Sequence, residues 1–376
     1  MARIEVDQAV KRYAAERIVD LESSKQRPAL NGVSLQVADG ETVSVVGSSG
    51  CGKSTLLKVV AGLEHPDAGR VLYNGSDVTQ VRPQERGVGM VFQDYALYPS
   101  MKGQGNLAYY FEVRHKTEEE KEQRLRETAE RMGIGFEHLL GRVPTTLSGG
   151  EQQRVAIARC IVREPQLFLM DEPISNLDAK LREQTRIEIR RLLKKFAITT
   201  LYVTHDQQEA IFMGDRIAVM RDGDIEQIGT FDDLYYTPAN LFVATFIGSP
   251  PMAVLPAYVD GGEVTVGGGA AARWQLPFEL AQQIPVGALR IGVRAEGWLL
   301  DTPDGARMPV RHLERIPTER ASFVYGNLDG ANVAVTAPVD YPDTAEVRIT
   351  PDWERAYFFA ADSEEPVHLP GVLELF

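Results

Sequence analysis

Nine consecutive residues, Gly47, Ser48, Ser49, Gly50, Cys51, Gly52, Lys53, Ser54 and Thr55, constrain this chain more than any other stretch. They follow a short apolar strand pattern, Thr42 to Val46, and lead into the amphipathic run Leu56-Leu57-Lys58-Val59-Val60. Strand, glycine-rich turn and helix with the spacing G-x-x-x-x-G-K-S predict a loop wrapped around phosphate. Glycines let successive backbone N–H groups turn inward around an anion, where a Cβ would obstruct them. The helix that follows aims its unpaired N–H groups and positive dipole end at the same point. Lys53 is expected on the outer phosphates, and the Ser54 hydroxyl on Mg²⁺. The expectation is a nucleoside-triphosphate site.

Composition narrows the setting. The chain has 376 residues, too many for one ordinary core, so two domains are expected. Forty basic against fifty-three acidic side chains leave a formal charge of -13. That balance excludes the positive footprint of a nucleic-acid binder. The two cysteines, Cys51 and Cys160, do not suggest a disulfide scaffold, and a reducing cytoplasm suits them. Met1 to Tyr13 lacks the apolar core of a signal peptide. No run nears the roughly twenty apolar residues of a membrane span. The longest, Leu241 to Ile247, is far too short. Work at a membrane would need other chains to carry this one there.

Further strand patterns complete the expected site. Leu167-Phe168-Leu169-Met170 ends in Asp171-Glu172, reading as a buried parallel strand that delivers two carboxylates to its C-terminal edge. Asp171 is placed to hold Mg²⁺ through water, and Glu172 to take a proton from the attacking water. Thr199 to Thr204 is a third strand, ending in His205-Asp206. Parallel strands present their C-terminal ends on one edge, so His205 can reach the γ-phosphate. Gln93, after the apolar segment Val88 to Phe92, is expected on the same edge, near the water and the metal.

Leu147-Ser148-Gly149-Gly150-Glu151-Gln152-Gln153-Arg154 opens a helix running to about Arg163, with Ser148 and Glu151 at capping-box spacing. A capping box does not explain two glycines in the first turn. Each costs about 0.8–1.0 kcal/mol against alanine in a helix interior, whereas bare N–H groups there suit close approach of a phosphate.

With these stretches in hand, the sequence resembles the ATP-binding subunits of ABC transporters. Tyr13, Gly47–Thr55, Gln93, Leu147–Glu151, Leu167–Glu172 with Ser175-Asn176-Leu177-Asp178, and His205 occur in the family's order, across residues 3 to 235 or so. The resemblance implies an α/β P-loop NTPase fold with an inserted helical subdomain at about 94–165. It implies that Tyr13 stacks on adenine, and that two copies pair head to tail. Ser148, Gly149 and Gly150 of one copy would then close over ATP held by the other, and Asp178 would communicate across the interface. Position 151 is Glu where many members have Gln, a change that a helix N-terminus tolerates. The segment Ala14 to Leu30 is longer and more polar than the usual link and reads as a surface loop.

Inside the arm, Thr117 and Glu120 start a helix at capping-box spacing, and Leu125, Ala129 and Met132 form its apolar stripe. Glu120/Arg124, Glu122/Arg126 and Glu127/Arg131 are spaced for i,i+4 ion pairs. Tyr95 to Met101, rich in aromatics, reads as an exposed contact surface. In ABC importers the equivalent region receives a helix of the membrane subunit.

After Gly248-Ser249-Pro250-Pro251 the sequence changes to short strand patterns: Val264–Val266, Leu289–Arg294, Ala321–Tyr325, Val333–Val335, Ala345–Ile349 and Ala356–Phe359. These predict a small antiparallel barrel or sandwich with a regulatory or dimer-stabilising role. The junction Thr237 to Met252 resembles the carbohydrate-importer branch, the maltose, multiple-sugar and glycerol-3-phosphate uptake ATPases, whose junction precedes OB-like barrel modules. Gly292-Val293-Arg294-Ala295-Glu296-Gly297 is similar to that branch's G-[IV]-R-P-E-H, with Ala and Gly replacing Pro and His.

The expected architecture is an ATPase domain over residues 1–238 and an all-β barrel domain over 239–376. The expected role is an ATPase at the cytoplasmic face of the membrane, using ATP and Mg²⁺. It would work as a homodimer with permease subunits and a solute-binding protein, for uptake of a sugar or sugar-like solute. Polyamine, metal or oxyanion cargo stays open. A soluble family member working on ribosomes or DNA would bring a second cassette, a long coiled coil or a basic surface, and the sequence has none of these.

Overall fold

The structure is a computed structural model that describes residues 2–13, 27–267 and 272–367. The chain divides into two units, Met1–Thr230 and Phe231–Phe376. Most of the expected Ala14–Leu30 loop lies outside the described residues.

The first unit begins with β1 (Ile4–Lys11), β2 (Leu30–Val37), β3 (Thr42–Gly47), α1 (Lys53–Ala61), β4 (Ala68–Tyr73), β5 (Ser76–Asp77) and β6 (Val88–Val91). A helical arm follows: α2 (Gly103–Val113), α3 (Glu118–Met132), α4 (Glu137–Leu140) and α5 (Gly149–Ile161). Then come β7 (Leu167–Asp171), α6 (Ala179–Phe196), β8 (Thr199–Thr204), α7 (Gln207–Met213), β9 (Arg216–Arg221) and β10 (Asp224–Gly229).

Two sheets result, an antiparallel one ordered β2-β1-β4-β5 and a six-stranded one ordered β10-β9-β3-β8-β7-β6. From β9 to β6 the strands of the second sheet are parallel. Their composition explains this. Every residue of β3 and β8 is buried, as continuous apolar or threonine-rich runs covered on both faces should be. One core joins the antiparallel sheet, α1 and one face of the parallel sheet. A second core joins the arm to β6, β7 and α6.

In the arm, the expected helix starts one residue after its Thr117 cap, whose side chain accepts from the Glu120 N–H. Leu125, Ala129 and Met132 are buried as the stripe predicts. The expected i,i+4 ion pairs give way to others. Arg124 pairs with Glu127 and with Glu164, forty residues away, and Lys116 pairs with Glu120. A tertiary carboxylate outcompetes the helical neighbour because exposed i,i+4 pairs are worth only about 0.3–0.5 kcal/mol.

The contact-surface expectation also needs correction. Tyr95 is only 7% exposed and belongs to the arm's core, and Leu97 packs against that core. Tyr98 is the exposed aromatic, its ring 4.9 Å from that of Tyr109. The segment is held from below by two buried polar residues. Arg159 donates to the carbonyls of Tyr95 and Ala96, and the Asn106 amide bonds Tyr98 N–H and three carbonyls.

The second unit starts with α8 (Phe231–Tyr236) and α9 (Leu241–Phe246) and continues as β11 (Ala253–Asp260), β12 (Glu263–Val266), β13 (Ala272–Gln275), α10 (Phe278–Ala281) and β14 (Gly287–Val293). It ends with β15 (Trp298–Leu300), β16 (Ala306–Ile316), β17 (Ala321–Leu328), β18 (Ala331–Pro338), β19 (Glu346–Pro351) and β20 (Tyr357–Ala360). Two antiparallel five-stranded sheets, β13-β12-β11-β14-β20 and β15-β19-β16-β17-β18, enclose one core in an all-β, OB-like arrangement. Arg294 and Glu296 of the G-V-R-A-E-G stretch have structural partners here. Arg294 donates to the carbonyls of Ile247 (2.6 Å) and Tyr235 (2.8 Å), and Glu296 accepts from the Tyr235 hydroxyl (2.6 Å).

Candidate active site

The loop after β3 opens at the C-terminal edge of the parallel sheet. Gly47 ends the strand buried, Ser48, Ser49 and Gly50 are exposed, and Cys51, Gly52 and Lys53 turn back into the protein. Two of the glycines are sterically required. A Cβ on Gly47 would lie 2.2 Å from the Met220 carbonyl oxygen, and one on Gly52 would lie 2.2 Å from that of Ala29. Gly52 also has φ 110° and is the N-cap of α1, with no side-chain acceptor for the helix's first N–H groups. No acid lies in the first turn either, so the orphan donors stay available to an anion. The Lys53 ammonium donates to the carbonyls of Gly47 and Ser48, each at 2.8 Å. Thr55 is half-buried in the first turn of α1. Burial pushes the Cys51 thiol above its usual range, although Lys53 beside it pulls the other way.

Three other strands bring their ends to this loop. Asp171, the last residue of β7, accepts a hydrogen bond from the Ser54 hydroxyl at 3.0 Å. Burial raises the Asp171 pKa, Ser54 lowers it, and the neighbouring Glu172 charge raises it further. Glu172 takes φ 45°, and its N–H donates to the Val203 carbonyl of β8 at 2.9 Å. Its Oε2 lies 2.9 Å from Nδ1 of His205, the residue after β8. Gln93 is exposed just beyond β6, and its carbonyl accepts from the Asn176 amide at 3.0 Å.

The remaining expected residues have partners of their own. Ser148 and Glu151 form the full capping box of α5. Backbone bonding from Ser148 holds the Glu151 carboxyl below its usual range. The glycines beside it have a packing reason that sequence reasoning missed. A Cβ on Gly149 would lie 2.5 Å from Leu177, and one on Gly150 would lie 3.0 Å from Leu181. Asp178 caps α6 by accepting from the Leu181 N–H at 3.0 Å. Among the described residues, no hydrogen bond joins Ser148–Gly150 or Asp178 to the loop at 47–55. Tyr13 is 46% exposed, with the Lys11 ammonium 5.7 Å from its ring centroid. Also missed were the Ala29 and Met220 carbonyls that shape the loop; a backbone oxygen leaves no mark in sequence.

The ABC transporter family profile matches residues 30–175. The sn-glycerol-3-phosphate import ATP-binding protein UgpC of Roseobacter denitrificans is 40% identical, over 97% of this chain and 99% of its own length. The chain belongs to the ATP-binding subunits of ABC transporters. As a family member it is an ATPase, in the branch of these uptake proteins. UgpC of Paracoccus denitrificans is 41% identical over 96% of this chain and 97% of its own. The bacterial ABC transporter cassette MJ0796, solved as a dimer, is 31% identical with TM-score 0.51, covering 60% of this chain and 98% of the cassette. A dimeric post-hydrolysis state of MJ0796 with ADP and Pi gives TM-score 0.50 at 30% identity, with the same coverage. Among the described residues no helix is long and apolar enough to cross a membrane.

Proposed function

We propose that this importer ATPase works as a head-to-tail homodimer, closing on ATP and reopening after hydrolysis. Its cargo is sn-glycerol-3-phosphate or a similar sugar-like solute. The relatives' names favour that cargo over polyamine, metal or oxyanion. The observation that carries the mechanism is the pairing, beside one glycine cradle, of Ser54 with Asp171 and of Glu172 with His205.

In this reading Tyr13 stacks on adenine, and Gly47 to Thr55 wrap the phosphates with their N–H groups. Lys53 neutralises charge on the outer phosphates as it builds in the transition state. Glu172 accepts the proton of the attacking water, and His205 orients the γ-phosphate while Glu172 fixes the ring. Ser148, Gly149 and Gly150 of the second copy complete the phosphate cradle, with Asp178 at the seam. The Ser54 hydroxyl, the Asp171 carboxylate and the Gln93 side chain offer the hard oxygen donors that Mg²⁺ takes. A buried carboxylate beside a second one is a setting that a cation relieves. When bound, Mg²⁺ would supply positive charge that offsets the negative charge of the phosphates. Membrane permease subunits and a solute-binding protein are the remaining partners, which would hold the chain at the cytoplasmic face.

Tyr98, exposed on a rigidly held loop next to Gln93, is the proposed permease contact. Tyr98→Asp should leave ATP hydrolysis by the isolated subunit within about twofold, since rim substitutions rarely cost more than about 0.5 kcal/mol. It should abolish ATP-driven uptake of sn-glycerol-3-phosphate by the reconstituted complex. Uptake at the wild-type rate would remove Tyr98 from the coupling surface. Uptake of a polyamine, metal or oxyanion in preference to sn-glycerol-3-phosphate and plain sugars would overturn the cargo assignment.

A further inference from the structure

We propose that Glu209, on α7 and outside the nucleotide site, is a positioning residue for His205, acting through the hydroxyls of Tyr202 and Thr204. The proposal rests on the reading that His205 serves hydrolysis.

Glu209 is 4% exposed, and Tyr202 and Thr204 are buried still more completely. Both oxygens of its carboxyl are engaged by neutral donors. Tyr202 Oη donates to Oε1, and Thr204 Oγ1 donates to Oε2 at 3.0 Å. The Thr204 oxygen in turn accepts the Asp206 N–H at 3.0 Å, and Asp206 Oδ1 accepts the Glu209 N–H at 3.1 Å. An ordinary capping box would send the Glu209 carboxyl back to the Asp206 N–H. Here Thr204 takes that N–H, and the carboxyl reaches past it to the end of β8. The result is a closed ring of hydrogen bonds through Thr204, Asp206 and Glu209.

His205 is the residue enclosed by that ring. Its own side chain is 59% exposed, so packing does little to fix the imidazole. Glu172 holds one nitrogen of the imidazole, but the point from which the imidazole projects is set by the backbone on either side, and both flanking residues are tied to Glu209. That backbone brings His205 Nδ1 to 2.9 Å from Glu172 Oε2. A carboxyl buried among hydroxyls is costly to stability, and burial raises its pKa. An apolar side chain could fill the space; it could not hold the turn.

The test is a kinetic cycle on the purified full chain. Thr204→Val keeps the shape and deletes the relay hydroxyl. It should lower kcat about tenfold, the equivalent of roughly 1.4 kcal/mol, with KM for ATP within about twofold. Thr204→Ser should restore kcat. In a His205→Ala background, Thr204→Val should slow turnover no further, because the residue it positions is gone. Tyr202→Phe, which removes the other hydroxyl and keeps the ring, repeats the test if Thr204→Val melts below the assay temperature. Wild-type turnover by Thr204→Val and Tyr202→Phe, or an undiminished effect in the His205→Ala background, overturns the proposal. Wild-type turnover by His205→Ala alone would instead remove the reading of His205 on which it rests.

Discussion

Glu172→Gln should still bind ATP and should hydrolyse it on the order of 10²–10⁴ times more slowly. At 1.36 kcal/mol per tenfold, that is roughly 3–5 kcal/mol of lost transition-state stabilisation. The backbone of Glu172 is pinned independently of its side chain. The N–H is held by the Val203 carbonyl, and the carbonyl accepts from the Ser175 hydroxyl at 2.9 Å. Holding an L-residue at φ 45° costs about 1–2 kcal/mol, yet it is sustained at the residue whose carboxylate faces His205. The amide has the same shape and can still bond His205, so geometry should survive while the proton acceptor is lost. Removing the charge also relieves Asp171, whose pKa Glu172 helps to raise. The ATP-loaded variant should therefore accumulate as a dimer in size-exclusion chromatography. Turnover at the wild-type rate would take Glu172 out of the reaction.

The grouping of the candidate site's residues is largely legible in the sequence, for a physical reason. Its parts are short contiguous runs, and parallel strands must place their C-terminal ends together. Once β3, β7 and β8 are read as parallel, the meeting of Ser54 with Asp171 and of Glu172 with His205 follows. What escapes depends on contacts between distant segments. Gly149 and Gly150 read as phosphate approach, but the same bare positions admit Leu177 and Leu181. Tyr95 reads as exposed beside Gln93, although its ring turns into the arm's core at φ 61°. Glu209 gives no sequence signal, since an acid three residues after Asp206 looks like any helix start.

In the second unit, the strands legible in sequence are those with an apolar alternation or a short continuous apolar run. Three of the four missed ones depart from it, and the fourth, β13, alternates over only four residues. β11 contains Pro256, which argues against a central strand; pairing with β12 begins only at Ala257, so the missing N–H is tolerated. β16 is polar along most of its length, and β15 is three residues long. Only tertiary pairing makes them strands.

Arg86→Met should be strongly destabilising, although Arg86 is none of the candidate site residues. Arg86 is 3% exposed, and its guanidinium donates to carbonyls at both ends of a gap. Nη1 bonds Val59 and Val60 in the last turn of α1, Nε bonds Val81, and Nη2 bonds Thr79. A cation at a helix C-terminus also meets the negative end of its dipole. Methionine fills the space and supplies none of these donors. Val59 and Val60 keep second partners, the Gly62 N–H and the Tyr73 hydroxyl, so not every carbonyl is orphaned. The expected loss is about 3 kcal/mol, with hydrogen bonds to charged groups worth about 1.5–3 kcal/mol each. At about 2–4 °C per kcal/mol for a unit of this size, melting should fall by about 6–12 °C. Gly62→Ala should act in the same direction. Its Cβ would lie 2.4 Å from Arg86 Nε, at a residue with φ 78°. Because the two residues touch, the double variant should lose less than the sum. The helix these groups terminate is the one whose other end carries Lys53 and Ser54, so the variant should denature sooner yet hydrolyse ATP normally while folded. A melting temperature unchanged by Arg86→Met would mean that water, not the guanidinium, satisfies the end of α1.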